Sequence, residues 1–231
     1  MIVLLAHQAD PWVQPLARKV AQLTGERVGV LTPRDLSRRG WALTSPPGQR
    51  HGQPGDGTDR LVVGGEPVAA SSVGLVVSLL DDVFPGELLW IREEDADYVA
   101  SEMSAFLRFW LDSVSDRLFV PLGALSLAGP DHPTAVWAAV GGVPVAVARP
   151  APGGGYREVA VTDGVVTGVA SPSLRRAATA MARWAGLPWM RAFFAPDSDD
   201  LCAVAPLPAL ADATPEAAAA IAAADRARRA A

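Results

Sequence analysis

The sequence predicts an α/β chain in which an N-terminal parallel sheet with helices is followed by an α+β domain. Three observations carry this. Residues 2–6 are an unbroken apolar run, and with the helical pattern and second apolar run behind them they form a β-α-β unit. Between Asp95 and Ser115 apolar residues recur at spacings of three and four, the stripe of a long amphipathic helix. Asp163-Gly164, flanked by alternating apolar and polar residues, is a type I′ hairpin signal and makes the last third antiparallel.

Taken in order, the first strand spans residues 2–6, with Asp10 as a candidate N-cap. The helix behind it sets Trp12, Val13, Leu16, Val20 and Leu23 towards the sheet and ends at Gly25. Arg27 to Leu31 is the second strand. Residues 45–59 are polar and rich in Gly and Pro, a surface loop that includes His51. Leu61 to Val63 and Pro67 to Ala70 flank Gly64-Gly65 as a hairpin, and Val73 to Leu80 is a further buried strand. Leu89 to Ile91 reads as a strand before the Asp95 helix, and Arg117 to Val120 as a short strand after it. Thr134 to Val140 is a short helix ended by Gly141-Gly142. Beyond the Pro150 to Gly155 linker come hairpin strands Arg157 to Val161 and Val165 to Val169, and a helix from Ser173 to Ala185. Strands Trp189 to Ala195 and Leu201 to Val204 follow, and an Ala-rich helix begins at Pro215. Trp12, Trp110 and Trp184 are expected to face the sheet.

Composition narrows the function. With 231 residues, half of them hydrophobic, the chain has material for a sizeable core. A formal charge of −5 and scattered arginines, clustered only at Arg226, Arg228 and Arg229, argue against a nucleic-acid surface, which needs clustered cations. No apolar run reaches the roughly 18 to 20 residues of a membrane span, and the N-terminus lacks the basic start of a signal peptide, so a cytoplasmic setting is expected. Cys202 is the one cysteine, and its strand setting favours a buried apolar role over a nucleophile. Lys19 is the one lysine and there is no asparagine, which leaves the chain poorly equipped for ATP-dependent ligation by itself.

Three residues are candidates for ligand binding. His7 and Asp10, with Gln8, follow the first strand at the carboxyl edge of a parallel sheet, where doubly wound folds bind ligands. The alternative is a strand-to-helix turn with a capping aspartate. Arg92 is placed to pair with a carboxylate of a bound peptide; the alternative is a solvated helix start, with Glu93, Glu94 and Asp95 favoured there by the helix dipole. Asp81 and Asp82, and Asp197, Asp199 and Asp200, lack metal-loop spacing and read as turns. His7, His51 and His132 do not make a zinc signature, and no metal or cofactor is expected.

Several short motifs together resemble the ATP-grasp family, in particular the ligase-like proteins that modify ribosomal peptides and their relatives in natural-product clusters. The opening β-α-β unit and Leu89-Trp90-Ile91-Arg92 resemble its preATP-grasp domain. Ser126-Leu127-Ala128-Gly129-Pro130, His132-Pro133 and Trp137 resemble the crossing into the grasp domain. Val159 to Val166, the helix Leu174 to Gly186 and Phe193 to Pro208 resemble its hairpin, catalytic helix and metal-bearing strands. The resemblance implies a preATP-grasp-like domain at 1–94, a connecting helix and crossing at 95–149, and a truncated ATP-grasp-like domain at 150–231.

Working members of the family hold magnesium with acidic residues and an asparagine at a strand end. Here that stretch reads Ala203-Val204-Ala205-Pro206-Leu207-Pro208, with alanine at both ligand positions. The lysine-bearing subdomain expected between Val145 and Arg157 is reduced to a short segment. Arginine can replace lysine electrostatically, but alanine cannot replace a metal ligand. The expectation is a non-catalytic ATP-grasp-like protein that binds a peptide, small molecule or partner enzyme in a biosynthetic pathway. Exposed sheet edge in a shortened domain makes a homodimer plausible. Two alternatives stand: a carboxylate-amine ligase whose site is completed by a second subunit, and a nucleotide-independent enzyme on the same scaffold.

Overall fold

The computed structural model describes residues 1–43, 59–147, 155–168, 170–206 and 215–230. Strands β1 (Ile2–Leu5), β2 (Val28–Leu31) and β5 (Leu75–Ser78) form a parallel sheet in the order β2-β1-β5. Hairpin strands β3 (Arg60–Val63) and β4 (Glu66–Ala69) pair beside it. The central position of β1 explains its apolar run, because alternate side chains enter different cores. Ile2, Leu4 and Ala6 join one apolar cluster with Leu16 and Val20, while Val3 and Leu5 join a second with Leu61, Leu107 and Trp110.

Helix α1 (Val13–Thr24) stops where Gly25 takes a φ of 71° and donates its N–H to the Ala21 carbonyl. Its buried seam is Val13, Leu16, Ala17 and Val20, whereas Trp12 and Leu23 are both more than two-fifths exposed. At 12 residues the helix is roughly 18 Å long, against roughly 13 Å for its four-residue strands, so it is longer than the strands it covers. Asp10 is not the N-cap: Trp12 holds that position, and the Asp10 carboxylate instead accepts the Trp12 N–H at 2.9 Å. A short α2 (Pro33–Leu36) is closed by Asp35, whose buried carboxylate also accepts the N–H of Gly65 at 2.8 Å and ties the hairpin down.

Helix α3 (Glu93–Ser113) begins two residues earlier than its apolar pattern suggests, with Glu93, Glu94 and Asp95 in its first turn. Its seam runs through Ala96, Ala100, Leu107, Trp110 and Leu111. Tyr98 lies two residues, about 200° of helical rotation, from both Ala96 and Ala100 and is therefore turned to solvent. Leu89 to Ile91 is a turn rather than a strand, with Leu89 exposed and the Ile91 N–H on the Leu88 carbonyl. Of Arg117 to Val120 only Leu118 joins the sheet, through a single parallel bridge to Val76.

Helix α4 (Thr134–Gly141) leads to Val145, which bridges Leu201 in parallel. Strands β6 (Arg157–Thr162), β7 (Val165–Thr167), β8 (Trp189–Phe194) and β9 (Leu201–Ala205) form an antiparallel sheet in the order β7-β6-β8-β9. Asp163 and Gly164 take φ values of 48° and 78° between β6 and β7, as a type I′ turn requires. Helix α5 (Pro172–Trp184), capped by the Ser171 hydroxyl on the Leu174 N–H, packs on one face of this sheet. Helix α6 (Pro215–Ala230) returns to pack on α1, burying Ile221 completely. One apolar cluster consequently runs from Ile2 and Leu4 through Val159, Met181 and Phe194 to Ile221, across the boundaries drawn at 94 and 149. The arginines at the end of α6 serve this closure. Arg228 donates to the Leu118 carbonyl at 2.6 Å, and Arg229 pairs with Glu26 and Asp225, each at 2.9 Å.

Most of the 45–59 loop with His51, the linker from Pro150 to Gly154, Val169, Leu207 and Pro208 lie outside the described residues. No helix among those described is long and apolar enough to cross a membrane.

Candidate functional site

Parallel neighbours end at the same edge of a sheet, so the residues after β1 and those after β5 emerge side by side. The Leu79 N–H bonds the Leu5 carbonyl at 2.7 Å and continues that pairing beyond the strands. His7 then meets two carboxylates from the segment that follows β5. Its Nε2 lies 2.8 Å from Asp81 Oδ1 and its Nδ1 lies 3.0 Å from Glu87 Oε2. A short 3₁₀ turn, Pro85–Glu87, delivers Glu87, whose other oxygen accepts the Gln8 N–H at 3.0 Å. The Phe84 ring stacks on the imidazole, 5.2 Å between centroids and 6° from parallel.

This geometry favours the charged form of His7. A carboxylate on each edge of the ring favours the doubly protonated imidazole, in which both nitrogens donate. Burial pushes the His7 pKa down, but the hydrogen bonds and charges of Glu87 and Asp81 outweigh it, and the net shift is upward. Among the described residues, no three His, Cys, Asp or Glu side chains are grouped so as to hold one. The triad is asymmetric: the Glu87 side chain is 13% exposed, that of Asp81 57%. Beside it, Asp82 accepts from the Val83 N–H at 2.9 Å and from the Ser104 hydroxyl. Ser104 is thus bound to Asp82 rather than to the histidine, and no Ser-His-Asp relay forms.

Of the three sequence candidates, His7 and Asp10 share one turn, the Asp10 N–H reaching the His7 carbonyl at 3.3 Å. Arg92 stands apart. Its guanidinium, three-quarters exposed, pairs with Glu94 at 2.6 Å and Asp95 at 2.7 Å on its own helix. Asp81, Phe84 and Glu87 escaped the sequence reading as partners of His7. The signal was available for Asp81, which follows β5 as His7 follows β1, once β1 and β5 are taken as neighbours.

The antiparallel sheet supplies the second surface. In its register Ala205 faces Arg191 and Ala203 faces Phe193, while Ala160 faces Arg191 from β6. Alternation puts these residues and Glu158 on the face opposite the buried Val159, Val161, Met190 and Ala192. Glu158 is paired with Arg191 at 2.6 Å, and the Arg191 guanidinium lies 6.0 Å from the centre of the Trp189 ring. The two positions where the family resemblance puts magnesium ligands are therefore methyl groups, and the carboxylate nearest them in register is committed to an arginine. These residues do not fit a magnesium-nucleotide site. Asp199 is held by Arg157 at 3.0 Å and Ser173 at 3.1 Å, and Asp200 by Ser198 at 2.7 Å, as a structured turn. Cys202 is buried; burial first, and the charge of Asp200 second, push its thiol pKa up, away from nucleophilic use.

No protein-family model matches this sequence, and no curated protein matches it. Among solved structures, the crystal structure of the macrocyclase MdnB from Microcystis aeruginosa MRC is similar, with a TM-score of 0.55 and 12% sequence identity. The similarity covers 97% of this chain and 98% of that one. At this identity it speaks for the fold: a parallel sheet with helices followed by an antiparallel sheet, consistent with the ATP-grasp-like frame.

Proposed function

We propose that the chain is a binding protein on an ATP-grasp-like frame, acting in a natural-product or peptide-modification pathway without nucleotide chemistry of its own. Its ligand is a peptide, a small molecule or a partner enzyme. The observation that carries this reading is the register of β9, which sets Ala203 and Ala205 on one face opposite Phe193 and Arg191. A metal-bound triphosphate needs oxygen ligands for the ion and cations for the phosphates. The two expected ligand positions have no oxygen, and Lys19 on α1 is the one lysine of the chain. The similarity to a macrocyclase supports a pathway setting. Isothermal titration with ATP and magnesium tests the proposal: no heat of binding is expected, and micromolar, magnesium-dependent binding overturns it.

A second reading has its own observation. His7, held as an imidazolium between Asp81 and Glu87 at a sheet edge, is a poised proton donor for a nucleotide-independent enzyme. Intact-mass analysis of peptides from the same pathway, without ATP, separates the two readings. A product that disappears in His7→Gln supports the enzyme; an unmodified peptide supports the binding protein.

A further inference from the structure

Helices α4 and α5 pack closely, with no room for a side chain at Gly141: a Cβ there would meet Met181 Cε at 2.4 Å and Ala177 Cβ at 3.3 Å. At their outer end three rings meet. Trp137 is buried, Trp184 is half exposed, and their centroids are 5.6 Å apart in an edge-to-face contact. His132 closes the group at 5.4 Å from Trp137 and 4.8 Å from Trp184. An exposed indole backed by a buried one is a rigid anchor point, the kind of feature that dominates interface energetics.

The charge around it is one-sided. In an acidic chain, α4 and α5 contain no Asp or Glu, while α5 carries Arg175, Arg176 and Arg183. Arg175 donates to the carbonyls of Val166 and Gly168. Arg176 and Arg183 are exposed, with no ion-pair partner among the described residues. Arg176, Ala180, Arg183 and Trp184 fall at i, i+4, i+7 and i+8, one continuous stripe, with the two guanidinium-bearing positions about 10 Å apart along the axis.

We infer that this stripe is a docking surface for an acidic peptide segment, whose carboxylates pair with Arg176 and Arg183 and whose apolar side chain packs on Trp184. The inference rests on the reading of the chain as a binding protein and names the partner's chemistry. Two arginines are too sparse for a nucleic acid, whose affinity comes from many clustered cations.

Fluorescence anisotropy on the full chain tests it with three labelled short peptides: one Glu-rich with a central Phe, one with Ala for that Phe, and one with Lys for every Glu. A single-stranded oligonucleotide is the fourth probe. The Glu/Phe peptide is expected to bind saturably and roughly tenfold or more tighter than the other probes. The charge-reversed Arg176→Glu/Arg183→Glu variant, altered at two exposed positions, and Trp184→Ala, with folding verified by circular dichroism, are each expected to lose roughly tenfold. No binding of the Glu/Phe peptide, equal binding of the Lys peptide or the oligonucleotide, or indifference to both variants overturns the docking surface. The ATP titration is read separately, so this surface can fail while the proposed function stands.

Discussion

Asp81 Oδ1 sits 2.8 Å from His7 Nε2, although the two residues are 74 apart in sequence. The contact exists because β1 and β5 are adjacent and parallel, and it helps raise the pKa of the histidine. The first expected outcome concerns pH. The His7 pKa is raised above its ordinary 6.5 in the folded chain. The stabilisation is therefore fully present below 6.5 and is lost as pH rises through the folded-state pKa. Melting temperatures measured from pH 6 upward should show a decline in the native protein that is absent from His7→Gln.

The two carboxylates should not be equivalent. Glu87 is mostly buried and accepts from Gln8 as well as His7, whereas Asp81 is over half exposed and screened by water. Urea unfolding should show Glu87→Ala costing about 1.5 to 3 kcal/mol. Asp81→Ala should cost less than about 1 kcal/mol.

Gly168 tests the hairpin. Its φ is 102°, and a Cβ there would lie 2.3 Å from the Glu158 carbonyl oxygen, a backbone atom that cannot swing aside. Gly168→Ala should cost about 3 kcal/mol or more. Gly164→Asn, at a φ of 78° with nothing within 4 Å, should be nearly neutral by the same unfolding measurement.

Ile221 is fully buried where α6 meets the core. Ile221→Ala should cost about 2 to 5 kcal/mol. It should also raise hydrogen exchange along α6 and α1 together, because the two helices pack on one another.

Cys202, 6% exposed and with its thiol pKa raised, should react slowly with iodoacetamide in the native protein and fast in denaturant. Fast labelling of the folded chain would contradict its placement.

Much of the fold is legible in local chemistry. The apolar run of β1, Gly25 after α1, the Asp163-Gly164 turn and the seam containing Leu107, Trp110 and Leu111 each follow from a short stretch of sequence. The misses also have physical causes. Trp12 and Trp184 lie at helix ends, and each is left two-fifths or more exposed; Trp184 packs on Trp137 and His132 instead of on the sheet. Leu89 to Ile91 has the composition of a strand but no neighbour to pair with, and forms a turn.

By itself the sequence determined most of the element order, the buried centre of the parallel sheet and the alanines at positions 203 and 205, because each depends on residue chemistry or on a period of two or 3.6. Only the tertiary structure decided that His7 lies between Asp81 and Glu87, that Arg92 is bound to its own helix, and that Trp184 faces outward beside unpaired arginines. Those are contacts between residues far apart in sequence. Strand register and the packing of helices on one another set them, and neither is encoded within any one segment.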